Sequence, residues 1–99
     1  MDRILIQAVN DAPDAILISD REGNILFWNC GAEQMFGHTS AEAVGQSLDL
    51  IIPENLRGRH WDGYHRVMAS GETKYKTGEM GTFRRDGDVH AIMRFVRNA

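Results

Sequence analysis

Residues 13–37 read PDAILISDREGNILFWNCGAEQMFG, and the order of elements in this stretch decides the fold. Ala15-Ile16-Leu17-Ile18-Ser19 is an apolar run that predicts a strand. Asp20-Arg21-Glu22-Gly23-Asn24 follows as a polar turn, with glycine where a positive φ is needed. Ile25-Leu26-Phe27-Trp28 returns as a second strand, so the two runs form a hairpin. Asn29 ends that strand, and its side-chain oxygen suits the cap of the next turn. A brief helix over residues 32–36 then closes at Gly37.

Downstream the same device recurs. Thr39 and Glu42 have the spacing of a capping box, and Gly45 stops the short helix they open. Leu48, Leu50, Ile51 and Ile52 lead into a longer helix, with Pro53 suited to its first turn and Ser70-Gly71 to its end. Leu56, His60, Tyr64, Val67 and Met68 recur on one face of it, while Arg57, Arg59, Asp62 and Arg66 fall mostly on the other sides. A histidine within that stripe points into the domain. Residues 72–83 read as a strand, and Asp86-Gly87 marks a hairpin turn. In 89–96, Val89, Ala91, Met93 and Phe95 alternate with His90, Arg94 and the partly exposed Ile92. One face is therefore core and the other is wet or paired with a partner.

Upstream, residues 2–10 form an amphipathic segment with Asp2 as a cap and Ile4, Leu5, Ala8 and Val9 as its stripe. So short a helix must pack on something. It is a lid on its own domain, a dimer contact, or the tail of a longer signalling helix. Residues 11–14 form a break. The chain thus reads as an N-terminal helical segment (1–10) and one domain (11–99). Strand, strand, three short helices, strand, strand gives an α+β fold, an antiparallel sheet with helices gathered on one face and a pocket enclosed between them.

Composition fits a single soluble domain: 42% apolar, 25% charged, and a net charge of −3. A mild acidic balance argues against a domain built to hold nucleic acid. No apolar run nears the ~20 residues that span a bilayer, and the N-terminus lacks a signal-peptide pattern, so a cytoplasmic setting is expected. Cys30, the single cysteine, excludes a disulfide framework and reads as a small buried apolar residue. Zinc-ligand spacing, a nucleophile with base and orienting acid, and a Gly-rich phosphate loop are all missing, so the domain is not expected to be an enzyme by itself. Arg57, Arg59 and Arg66 could hold a carboxylate, or they form a solvated face.

These residues carry a resemblance. Pro13-Asp14-Ala15, Asp20 with Gly23 before Ile25, Asn29 with Ala32-Glu33, Phe36-Gly37, Gly45, Pro53, Gly71 and Arg85-Asp86-Gly87, in this order over residues 10–97, resemble a PAS domain. The resemblance implies a sensory and dimerising module of histidine kinases, cyclic-dinucleotide enzymes or transcription regulators. It implies a five-stranded antiparallel sheet, whereas this sequence shows four strands, the fifth missing or compressed into residues 89–97. An open edge invites pairing with another chain.

Arg59-His60, Arg66 and Ser70-Gly71 are similar to the segment of haem-binding PAS domains that supplies the axial histidine. The resemblance therefore implies haem b as cofactor, with His60 as the axial ligand and Trp61 and Tyr64 as flat surfaces beside the macrocycle. An ungapped match puts Met80 at the distal position, although the chain is two residues shorter before the Asp-Gly turn. Ile92 and Met93 are further candidates for lining the pocket. A histidine on an apolar face is also an ordinary core residue when a neighbour satisfies it. His38, His65 and His90 are weaker candidates, and the methionines serve equally as gap-fillers. The expected function is a sensory domain that switches a partner or output domain through a small ligand, gas or redox change. Its alternative is a cofactor-free module that dimerises through residues 2–10 and the sheet face.

Overall fold

The computed structural model describes residues 3–70 and 80–96. Helix α1 (Arg3–Asp11) precedes the hairpin β1 (Ala15–Ser19) and β2 (Ile25–Trp28). Helices α2 (Cys30–Phe36) and α3 (Ser40–Ala43) follow, then 3₁₀ turns at Leu48–Ile51 and Glu54–Leu56. Helix α4 (Arg57–Ser70) and the hairpin β3 (Met80–Arg85) and β4 (Asp88–Phe95) complete the fold. The sheet is antiparallel with strand order β2-β1-β4-β3. Four strands are present among the described residues. β4 is one continuous strand that pairs with β1 on one side and β3 on the other. The strand expected over 72–83 is seen from Met80, and residues 72–79 lie outside the described residues.

Alternation sorts the sheet into two faces. Ala15, Leu17, Ser19, Ile25, Trp28, Val89, Ala91 and Met93 are buried. Leu17 lies opposite Trp28, and Ser19 opposite Ile25 and Ala91. The other face carries Ile18, opposite Phe27 and Ile92, and Phe83 opposite His90. Trp28, Phe36 and Phe95 form a ladder of rings at 5.5 and 5.4 Å that seats α2 on the buried face.

Asn29 does more than cap. Its Oδ1 accepts from Ala32 N at 2.9 Å and from Ile16 N at 2.8 Å. Its Nδ2 donates to Val9 O and Asp14 O, both at 2.9 Å. One fully buried amide thus joins α1, the 12–14 break, β1 and α2. Gly31 follows because a Cβ there would lie 2.1 Å from Asp14 O. The capping box of Thr39 and Glu42 is formed as expected.

Two sequence expectations are corrected. The long helix begins at Arg57, not Pro53, because Leu56 N bonds Pro53 O at 2.9 Å in a 3₁₀ turn. That tighter winding rotates Leu56 off the α4 face and leaves it 45% exposed. Cys30 is only half-buried, since it opens α2. α1 contributes no buried residue of its own to the core and is held to the domain through Val9 O and Asn29.

Candidate functional site

Helix α4 turns His60, Trp61 and Tyr64 toward the β1–β2 turn. Tyr64 is buried at the far end of its reach: its hydroxyl donates to Asp20 O at 2.5 Å and receives the Ser19 hydroxyl at 2.8 Å. Burial pushes the phenol up to about 12, with the hydrogen bond from Ser19 opposing and the nearby acids Asp20 and Glu22 adding to the rise. Tyr64 is therefore a neutral peg that fixes α4 to the hairpin.

Trp61 makes the second attachment. Its Nε1 donates to Asp49 Oδ1 at 2.7 Å. Its ring covers Gly23, where a Cβ would lie 2.1 Å from Trp61 Cη2 and where φ is +84°. Glycine is required there on both counts. Arg57 braces the same corner, donating to Ile52 O at 3.1 Å and Asp49 O at 3.2 Å. It caps the 3₁₀ turns rather than joining a solvated face. Arg59 is exposed, and Arg66 bonds Asp62 O within its own helix.

His60 lies between these two attachments. Its ring centroid is 4.8 Å from that of Trp61, edge-on at 70°, and 5.6 Å from that of Tyr64. Nδ1 is buried and has no hydrogen-bond partner among the described residues. Burial holds the imidazole below its usual pKa of 6.5, with Asp49 opposing and His65 assisting. The folded state thus binds this proton less readily than the unfolded chain, so stability is full above pH 6.5 and falls as pH drops below it. Urea unfolding between pH 7.5 and 5 should show that acid-side loss, and His60→Phe should reduce its slope.

The remaining candidates divide. Met80 and Met93 face each other across β3 and β4 on the core side, Met93 buried and Met80 half-buried. Ile92 does not join them. It sits on the opposite face, opposite Gly81 and 40% exposed, because successive strand residues point to opposite sides. His65 is exposed and stacks on Trp61 at 5.8 Å, and His90 stacks on Phe83 at 5.3 Å on the outer face. His38 offers its carbonyl to Trp28 Nε1. Sequence reasoning missed Asp49 and the role of Gly23, since only the fold brings them to Trp61.

Comparison with known proteins places this architecture. A family model described as the PAS fold matches residues 4–92. The sensor protein FixL of Bradyrhizobium diazoefficiens is 40% identical over 52 residues, covering 52% of this chain and 10% of that protein. The oxygen sensor protein DosP of Escherichia coli is 35% identical over 46 residues, covering 46% of this chain and 6% of that protein. The PAS domain of nitrogen regulation protein NR(II) from Vibrio parahaemolyticus superposes with a TM-score of 0.72 at 14% identity, over 98% of this chain and 100% of that one. The chain spans only 6–11% of the length of the curated relatives it matches. Four antiparallel strands, helices on one face and a family match over nearly the whole length agree: the chain belongs to the PAS fold family, the sensory modules of signalling proteins.

Proposed function

We propose that this domain senses a small ligand at His60 and that the ligand is haem b, with a partner or output domain, such as a histidine kinase or transcription regulator, as receiver in the cytoplasm. The observation that carries the reading is the buried Nδ1 of His60, which has no hydrogen-bond partner among the described residues. A buried polar atom left without a partner costs about 1–3 kcal/mol, and such atoms are rare enough to call for an explanation. Desolvation keeps the ring neutral, the form that ligates iron. Its ring packs against Trp61 and Tyr64, and among the described residues no acceptor holds Nδ1. In this reading Trp61 and Tyr64 exclude water beside the ligand, and Met80 and Met93 offer a soft, apolar opposite wall, Met80 as the distal group. Bound haem would supply an iron that takes a diatomic gas or changes redox state. Likeness to FixL and to the oxygen sensor DosP supports the class of signal.

The test is an absorption titration with haemin. The chain should develop a saturable Soret band at one haem per chain, and His60→Ala should lose it while its circular dichroism stays native. A flat titration, or an unchanged band in His60→Ala, rejects the reading.

A second reading has its own observation. Ile4, Leu5 and Ile6 of α1 are exposed, and so are Leu26, Phe83 and Ile92 of β2, β3 and β4. Exposed apolar surface on both elements suits a homodimer through the N-terminal segment and the sheet face. Sedimentation should then show a dimer that removal of residues 1–10 converts to monomer. A dimer indifferent to that truncation excludes the contact.

A further inference from the structure

The contacts around Trp61 close a ring. Trp61 Nε1 is held by Asp49, and Leu48, the residue before Asp49, donates its N–H to Gly23 O at 2.9 Å. Gly23 in turn lies under the Trp61 ring. The same segment is strapped to β2, with Ile25 N bonding Gln46 O and Gly45 N bonding Ile25 O, each at 2.8 Å. Gly23 N also bonds Asp20 O, the carbonyl that receives the Tyr64 hydroxyl. His60 touches this ring at the Trp61 edge. A shift of the indole is met on two sides. On one side it meets a backbone with no side chain to yield, and on the other it pulls a carboxylate attached to the strap.

We propose that Trp61 is the positioning residue that couples His60 to the edge of the sheet, transmitting a change at the imidazole through Asp49 and Gly23 to the 45–49 strap and β2. This deepens the reading of His60 as the ligand site and rests on it for its physiological meaning. Coupling of this kind has a defined signature, because residues within one contact network give non-additive effects while independent ones add.

The experiment is a backbone amide NMR comparison of the full chain without cofactor. His60→Ala should move the amide resonances of Gly23, Ile25 and Leu48 in the wild-type background. In a Trp61→Leu background the same substitution should move them about threefold less or not at all. Asp49→Leu keeps the indole but removes its anchor, and it should give the same loss if Trp61→Leu does not fold. Asp49→Asn retains an acceptor oxygen and should restore the response. Amides that ignore His60→Ala, or that respond equally in all backgrounds, overturn the proposal. Haemin titration of the same samples reads the other question separately: no Soret band with coupling intact removes haem and leaves Trp61 in its role.

Discussion

Asn29→Ala is expected to destabilise the domain by about 4 kcal/mol, because four short hydrogen bonds from one buried amide are lost at about 1 kcal/mol each. The partners lie on separate elements: Ile16 N on β1, Ala32 N on α2, Val9 O on α1 and Asp14 O before β1. For a domain of this size that lowers the thermal midpoint by about 20 °C or more, a large part of the 5–15 kcal/mol that such domains have. Asn29→Asp separates the two halves of the amide. It keeps the oxygen that serves Ile16 and Ala32 but places a carboxylate against the carbonyls of Val9 and Asp14. It should therefore rescue little. Urea unfolding of the three proteins checks the magnitude, and amide exchange along residues 3–11 checks the location, since α1 should lose protection first. An Asn29→Asp protein as stable as wild type would show that only the cap oxygen matters.

That amide also marks how far the sequence could be read. Asn29 after a strand and before a helix is legible as a cap, because capping is a local matter of three residues. Its donors to Val9 and Asp14 are not legible, because they depend on where α1 returns. The same divide runs through the site. Period two along β4 put Met93 inside and Ile92 outside; the resemblance-based pocket set that included both could not survive a pleated strand. Spacing placed His60, Tyr64, Val67 and Met68 on one face, and the structure buries the last three. Leu56 had the right spacing too, but the chain spends those residues on a 3₁₀ turn that Arg57 caps. Nothing local signals this, since the carbonyls that need capping belong to Asp49 and Ile52. Gly23 was readable as a turn glycine from its neighbours, but its second duty under Trp61 depends on α4 crossing the hairpin.

The crossing itself is the second place where a single residue should matter greatly. Tyr64→Ala is expected to cost about 4 kcal/mol, the usual range for removing a buried aromatic ring, whereas Tyr64→Phe should cost about 1–2 kcal/mol for the hydroxyl alone. The hydroxyl has a further signature in pH. Its folded pKa of about 12 lies above the ordinary 10, so the unfolded chain releases this proton first as pH rises. The stabilisation is complete below pH 10 and is lost between pH 10 and about 12. Two units correspond to about 2–3 kcal/mol at most. Urea midpoints for wild type should therefore fall through that window, and those of Tyr64→Phe should fall much less. Equal alkaline slopes would mean that the phenol is not the group that titrates. If the slopes differ as expected, His60 stands beside a side chain that stays neutral and hydrogen-bonded throughout the physiological range. One wall of the candidate site is then fixed by the fold, which leaves Trp61, met edge-on by the imidazole, as the neighbour free to respond at His60.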